Sequence, residues 1–563
     1  MGIKMTRGAF ARPGTSLEYK TGSWRTQQPE YHHRSAPCHT ACPAGEDAQQ
    51  YLALVEEGRY QLAWENIVRA NPLPAITGRV CHHPCESACN RGQYDESIAI
   101  HHVERFLGDR AIKEGWDYPV STPPEQALVV AVVGSGPAGC SAAWHLVRQG
   151  YRVDLFEALP MAGGLLHSAL PPYRLPRDIM QAELERLLHT GIGFLPGKRL
   201  GRDMSLDELQ ADYPAIFLAP GTQRSRSWDS GGATPSDLHV GLDLLKQWTS
   251  IGTIKHWSSV AVIGGGNTAI DLARVLKHAG VESVHVVTFQ SLPQSGEQLP
   301  DRMPAIAREI DQALEEGVTI HEHRGVQRLV LRGEQVVGVE LVHMKEVPDS
   351  QDGAKTVTFE GTESILDVDQ VIPAIGQVVD PEGLGSLLNH GEFLAADNHG
   401  RIPGHPQVLT GGDARGDRGT VSEAIGDGRR AAAQIARMLQ QQADPEARED
   451  KPIVLEQLNL NYYEYAPRPE VPVLPVEQRS ASAEVQGGLE QQQVHGEGQR
   501  CLSCGSCLAC DNCWTLCPDM AVLKRSEAPA GEAPYVFDYD YCKGCGLCAH
   551  ECPSGYITMQ AEA

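Results

Sequence analysis

Three observations predict an α/β fold class with nucleotide-binding domains at its centre. Two strand–glycine-loop–helix units recur along the chain. No strand pattern precedes residue 127, so a helical segment comes first. Of sixteen cysteines, five lie between Cys38 and Cys89 and ten between Cys501 and Cys552, leaving only Cys140 in the body. The predicted architecture is two Rossmann-like domains, preceded by a helical iron–sulfur domain and followed by a ferredoxin-like domain.

The 563 residues suffice for several domains. A formal net charge of -24 argues against a nucleic-acid binder, which needs a basic footprint. The longest apolar run, "ALVVAVV", has the length of a buried strand, and neither a signal peptide nor a membrane span is evident. A cytoplasmic protein is expected. In that compartment clustered cysteines indicate metal rather than disulfides.

Residues 1–36 are polar and irregular, and read as a flexible N-terminal tail. Residues 37–125 form the helical domain, with two short helices over 46–70 and another over 98–115. The first Rossmann-like domain begins at 126–245 and closes with 376–440; the second occupies 246–375. Segments "VDQVIPAIGQ" and "GRIPGHPQVLTGGDARG" supply the closing strands. Residues 441–495, rich in Pro, Gln and Glu, form a linker, and 496–563 a ferredoxin module.

In the first unit Gly134, Gly136 and Gly139 make G-x-G-x-x-G between an apolar strand and a helix. The first glycine permits the turn, the second lets backbone approach a pyrophosphate, and the third lets helix pack on strand. Glu157 ends the next strand, placed for ribose hydroxyls. Cys140 is a packing residue. The second unit, "GGGNTAIDLAR", carries Gly264, Gly265 and Gly266, then Asn267 and Thr268 as candidate caps, with Ala269 for the last glycine. A 2′-phosphate calls for Arg at the end of the following strand. Thr288, Phe289 and Gln290 stand there, and the nearest cation in sequence is Arg302. NADH is therefore favoured over NADPH.

Cys507, Cys510, Cys513, Cys517 and Pro518 match C-x2-C-x2-C-x3-C-P, and so do Cys542, Cys545, Cys548, Cys552 and Pro553. Two such runs indicate two [4Fe-4S] clusters, the fourth cysteine of each run ligating the other cluster. The predicted sets are Cys507, Cys510, Cys513 and Cys552, and Cys542, Cys545, Cys548 and Cys517. Cys501 and Cys504 are surplus to this pattern. Three readings stand: packing or reactive thiols, which is favoured; a shifted register; or completion of a half-site left by Cys38 and Cys89. The five N-terminal cysteines suffice for one cluster and fall short for two.

The motifs "APCHTACP", "NPLPAITGRVCHHPCESACNRG", "GSGPAG", "GGLLHSALPPYRLP", "GGGNTAIDLAR", "AIGQ" and "GGDARGDRGTVSEAIGDGRRAA" occur in that order. Together, over about residues 36–440, they resemble the glutamate synthase small-subunit family, which includes the electron-input half of dihydropyrimidine dehydrogenase. The resemblance implies an FAD domain interrupted by an NAD(P)H domain. It places FAD on Gly134, Gly136, Gly139 and Glu157, its ribityl and phosphate region at Gly412 and Asp413, and its ring near Thr420, Gly164 and Leu165. It also implies one N-terminal cluster held by Cys42, Cys81, Cys85 and Glu104. Relatives with two N-terminal clusters have two further cysteines ahead of Cys38; here that ground reads "QQPEYHHRSAPC", with Glu30, His32 and His33. A second N-terminal cluster is therefore expected to be absent.

The expected function is electron transfer between NADH, FAD and [4Fe-4S] clusters, with no proton-transfer residue required. The implied partner is a redox protein or larger oxidoreductase complex, such as a sulfite reductase or a 2-oxoacid or aromatic-acid oxidoreductase, in a hetero-oligomer. The alternatives are the small subunit of an NADPH-dependent glutamate synthase and a non-enzymatic iron–sulfur sensor or scaffold. The ferredoxin module weighs against the former, and reduction of flavin by NADH would exclude the latter.

Overall fold

A computed structural model describes residues 20–32, 34–232, 235, 238–293, 301–349, 353–416, 419–443, 451–526 and 533–562. The first nineteen residues and His33 of the expected tail lie outside the described residues.

The helical domain is built from short helices, including Pro37–Ala41, Ala48–Glu56, Tyr60–Val68, Pro74–Val80, Pro84–Ser87 and Ile100–Glu114. Three of them start at proline, whose fixed φ suits the first turn. Asp47 caps Ala48–Glu56 by accepting from Gln50 N at 3.1 Å. Helices Pro74–Val80 and Ile100–Glu114 meet backbone to backbone. A Cβ on Gly108 would stand 2.3 Å from Ala75 N, which no real side chain tolerates. This contact brings Cys81, just past the first helix, close to Glu104 on the second. The buried faces, with Tyr51, Trp64, Ile76, Val103 and Leu107, share one core with Trp144 and Leu146 of the next domain. Glu183, from helix Arg177–Leu188, caps Pro74–Val80 by accepting from Ala75 N at 2.7 Å and Ile76 N at 2.9 Å. The two domains are thus fixed to each other beside the cysteines.

The first nucleotide-binding domain has a six-stranded sheet. Its order is Arg401–Ile402, His405–Thr410, Ile216–Leu218, Val129–Val133, Arg152–Glu157, Ile192–Pro196. All pairings are parallel except that between the first two strands. Val129–Val133 is β-branched almost throughout and nearly fully buried, as a central parallel strand covered on both faces requires. The second domain is inserted. Its parallel sheet runs Gln370–Pro373, Ser259–Ile263, Ser283–Val287, Val318–His321. An antiparallel sheet of Arg324–Arg332, Gln335–Asp349 and Gly353–Leu366 packs on it through Val339 and Leu341. The two segments expected to close the sheets do so, as Gln370–Pro373 and His405–Thr410.

Two departures concern the chain ends. Residues 20–32 do not form a loose tail. Gln27–Tyr31 pairs antiparallel with Ile557–Ala561 over five positions, and Tyr31 stacks on Phe537 at 4.6 Å. Tyr31 supplies apolar area that a module this small lacks in its own core. Second, the boundary expected at 495 falls inside helix Gln491–Arg500, which packs on Ala48–Glu56. There a Cβ on Gly498 would meet Leu52 O at 2.9 Å. Glu497 on this helix is fully buried and accepts from Ala99 N at 2.5 Å. The segment before the ferredoxin module is therefore part of the helical domain's surface. Among the described residues no helix is long and apolar enough to cross a membrane.

Candidate active site and cysteine centres

The first glycine loop lines one end of a cleft of about 1040 Å³ that runs between the two nucleotide-binding domains. Gly134 has φ +99°, and a Cβ there would stand 2.2 Å from Ala219 O. A Cβ on Gly139 would stand 1.8 Å from Gly134 O, so helix and strand touch through hydrogen alone. At Gly136 no atom lies within 4 Å of a Cβ position, which leaves room for a ligand against bare backbone. These are the three duties expected of the three glycines. Glu157 is buried and lines the cleft. It accepts from Ser135 N at 2.9 Å, Ser135 Oγ at 2.6 Å and Leu159 N at 2.8 Å, and so also holds the loop's shape.

Gly164, Leu165, Gly412, Asp413 and Thr420 line the same cleft, brought there from distant segments. Thr420 caps helix Val421–Leu439, accepting from Glu423 N at 3.2 Å. The helix N-terminus, with its partial positive charge, faces the cleft through Thr420, Val421 and Ala424.

From the second domain Asn267 and Thr268 reach the cleft, while Gly264, Gly265 and Gly266 stand outside its lining. The expected caps do something else. Gly266 is the N-cap, with no side-chain capping bond. Thr268 Oγ1 accepts from Gln377 Nε2 at 3.2 Å. Asn267 accepts from Ile306 N at 3.0 Å, and its amide lies 3.0 Å from His82 Nε2. His82 comes from the helical domain and lines the cleft. Sequence reasoning missed it, because nothing local marks a histidine as facing another domain. Burial pushes its pKa down to about 4, so it is neutral, and its Nδ1 has no protein partner.

Gln290 is folded onto the glycine loop, with Oε1 where a Cβ of Gly265 would be, 2.2 Å away. Arg302, distant in sequence, is not distant in space. Ser291 N donates to Asp301 O at 2.8 Å and Met303 N to Ser291 O at 2.9 Å, so the exposed Arg302 is paired with Ser291, next to Gln290. The cation that the sequence places twelve residues beyond Gln290 is thus brought by its backbone beside the strand end.

Cys42, Cys81, Cys85 and Glu104 line one small cavity, with Glu46, Thr77, Tyr51, His83, His101 and Ser422. Glu104 Oε1 accepts from Asn71 Nδ2 at 2.8 Å and from Thr77 Oγ1. Glu46, a second carboxylate that the sequence did not single out, accepts from the same Asn71 amide at 2.8 Å. Burial raises the pKa of Glu46 to about 7 and, with the Glu46 charge beside it, that of Glu104 well above the carboxylate range. Burial also pushes the Cys81 thiol up to about 12. Tyr51 Oη, His83 Nε2 and His101 Nε2 have no protein partner. Free thiols, a carboxylate and unpartnered polar atoms around one cavity fit a thiolate-bound iron–sulfur cluster.

In the ferredoxin module Cys513 is flanked by Cys507, Cys510 and Cys552, close enough that each raises its pKa. Cys548 is likewise beside Cys542, Cys545 and Cys517. Each group thus holds three cysteines of one run and the fourth of the other, and Cys513 also lies near Cys548. The surplus pair is placed unexpectedly: Cys501 and Cys504 lie beside Cys89, and Cys38 lies beside all three.

Comparison with known proteins agrees with this organisation. The family described as pyridine nucleotide-disulphide oxidoreductase matches residues 128–428. Dihydropyrimidine dehydrogenase domain II, 4Fe-4S cluster, matches 31–116, and the 4Fe-4S dicluster domain matches 506–556. The NADP(+)-dependent formate dehydrogenase subunit beta of Moorella thermoacetica is 34% identical over 537 residues, covering 88% of this chain and 73% of that protein. The NADPH-Fe(3+) oxidoreductase subunit beta of Geobacter sulfurreducens is 33% identical, covering 87% and 78%. The glutamate synthase [NADPH] small chain of Escherichia coli is 30% identical, covering 72% and 88%. The chain belongs to the pyridine nucleotide-disulphide oxidoreductase family, as an electron-transferring iron–sulfur flavoprotein of the glutamate synthase small-subunit type with a C-terminal 4Fe-4S module.

Proposed function

We propose that this chain is the nucleotide-oxidising subunit of a larger redox complex, taking a hydride from NADPH and delivering single electrons to a partner protein through its cysteine centres. One observation carries the reading. At the start of helix Val421–Leu439, Val421 lines the dinucleotide cleft and the next residue, Ser422, lines the cysteine cavity. The same alternation recurs at Val80, Cys81 and His82, of which Cys81 lines the cavity and its two neighbours line the cleft. One residue of chain separates the two compartments.

Bound in the cleft, FAD would accept two electrons as a hydride, and [4Fe-4S] clusters would carry them singly. The chain's residues provide position. Gly136 admits a pyrophosphate, Glu157 shapes the loop around it, and Thr420 presents a helix N-terminus to the flavin side. Asn267, Thr268 and Gln377 present the nicotinamide from the facing domain. Cys42, Cys81, Cys85 and Glu104 hold the nearest cluster. The eight cysteines of the C-terminal module hold two more, which lie nearest the partner.

NADPH replaces the NADH expected from sequence, because Arg302 is available for a 2′-phosphate and the relatives above are named for NADP(H). Their names, as subunits and a small chain, support a hetero-oligomer. Stopped-flow mixing of anaerobic protein with each nucleotide tests this. NADPH bleaches the flavin band faster than NADH, and Arg302→Ala raises the KM for NADPH by roughly tenfold while leaving that for NADH nearly unchanged. Equal effects on both nucleotides would remove Arg302 from this role, and no bleaching by either would end the electron-transfer reading.

A further inference from the structure

Cys38 also lines the cavity of Cys42, Cys81, Cys85 and Glu104. With those four assigned to one cluster, Cys38 and Cys89 are left over, and Cys501 and Cys504 are left over once the two C-x2-C-x2-C-x3-C runs are assigned. The fold brings these leftovers together. Cys89 precedes Asn90 and Arg91, and both reach the C-terminal segment. Asn90 Nδ2 donates to Ile453 O at 3.1 Å and lies 3.5 Å from Cys504 Sγ. Arg91 is almost fully buried and donates to Arg500 O, one residue before Cys501. Cys38 is delivered from the other side, where Ile453 N donates to Ser35 O at 3.1 Å and Gly505 abuts Arg34 O. Arg500 closes the junction, donating to Glu96 O at 2.6 Å.

Each of the four thiols is free. Cys38 feels the charges of Cys501, Cys89 and Cys504, and Cys501 those of Cys504 and Cys89. Of the residues ahead of Cys38, Glu30 and His32 have their backbone tied to the far end of the chain, and His33 lies outside the described residues. The strand containing Glu30 pairs with the C-terminal strand, and His32 N donates to Tyr556 O at 2.9 Å. Among the described residues no group of three or more His, Cys, Asp or Glu closes on a single metal ion. The same is true of the eight thiols of the 4Fe-4S dicluster region, and in a cubane each thiolate binds a different iron.

We propose that Cys38, Cys89, Cys501 and Cys504 are the four ligands of an additional [4Fe-4S] cluster, completed across the molecule by the C-terminal C-x2-C. This reverses the sequence-based expectation that a second N-terminal cluster is absent and that the surplus thiols merely pack. The position is that of a relay. Cys38 and Cys42 lie on successive turns, with Cys42 N donating to Cys38 O at 3.2 Å, so the site adjoins the flavin-side cavity. Cys504 is three residues from Cys507, so it also adjoins the ferredoxin module. Tyr463 lies near cysteines of both groups, Cys501 and Cys504 as well as Cys552 and Cys510, and its hydroxyl donates to Leu502 O at 2.8 Å. The relay role rests on the electron path proposed above, whereas the existence of the site does not.

The test is metal and sulfide analysis of the full chain, purified anaerobically with its cofactors. Cys501→Ala/Cys504→Ala loses about four irons and four sulfides per chain relative to the unaltered protein. Cys38→Ala/Cys89→Ala loses the same number, and the quadruple variant loses about four, not eight, because both pairs serve one cluster. Cys140→Ala is the control and loses none. Flavin content per chain checks that each variant is folded, and if the 501/504 pair fails that check, the 38/89 pair is compared with the unaltered protein alone and decides. Unchanged iron in either double variant, a loss of one zinc instead of iron, or an additive loss in the quadruple variant would overturn the proposal. Flavin bleaching by NADPH is read separately in the unaltered protein, so failure of the proposed function is distinguishable.

Discussion

Adding one carbon at Gly134 and at Gly136 has different consequences, although the two glycines stand two residues apart. At Gly134 the carbon meets Ala219 O and the backbone has φ +99°, so the penalty falls on the fold. At Gly136 it meets no protein atom, so the penalty falls on whatever occupies the cleft. Gly134→Ala should therefore lose about 1–3 kcal/mol of stability. Gly136→Val should unfold near the unaltered protein and contain little FAD. Thermal unfolding and flavin content, measured on both variants, would refute the assignment if Gly136→Val kept its flavin. These roles were legible in sequence because they are local: three glycines, one strand and one helix fix them. Arg302 was not legible, because its place depends on a backbone pairing to Ser291, eleven residues earlier. His82 was not legible for a related reason, since only tertiary packing turns it toward Asn267.

Helix Val421–Leu439 is the element that joins the two halves of the chemistry. Its dipole and cap face the dinucleotide cleft, while Ser422 hydrogen-bonds the Cys81 sulfur on the other side. The two functions can be separated by substitution. Thr420→Ala removes the cap and should cost about 1 kcal/mol of stability. Ser422→Ala should leave FAD bound but lower the midpoint potential of the nearest cluster, because a donor to sulfur favours the more negative, reduced state. An EPR-monitored redox titration checks the second outcome; an unchanged potential would show that Ser422 only packs. The sequence placed Thr420 at the flavin through family resemblance. It did not reveal Ser422, whose role appears only when the helix is seen to have a cysteine cavity behind its first turn.

At the scale of the whole molecule, the two cysteine-rich ends are parts of one assembly. Spacing alone identified the ferredoxin runs, since eight cysteines within some fifty residues carry their own pattern. The convergence of Cys38 and Cys89 with Cys501 and Cys504 has no local signature. Helix Gln491–Arg500 and strand Gln27–Tyr31 were both underestimated, because each is polar on average and gains its stability from what it packs against. Deleting residues 1–31 should therefore injure the far end of the chain. The C-terminal clusters become labile and residues 533–562 open to proteolysis, while flavin content is retained. Iron release to a chelator and limited proteolysis measure this. Equal resistance in the truncated protein would show that the strand pairing contributes nothing.

The pairing of Gln27–Tyr31 with Ile557–Ala561 also sets an order of events during synthesis. Strand Gln27–Tyr31 is made long before Ile557–Ala561 and waits for it. At about 5–20 residues per second, more than five hundred intervening residues impose a delay of roughly half a minute to two minutes. During that interval the nucleotide-binding domains can close, but strand Gln27–Tyr31 has no partner. The edge strand of that module can therefore dock only after residues 557–561 have been made, so iron insertion there follows synthesis of nearly all of the residues between the two strands.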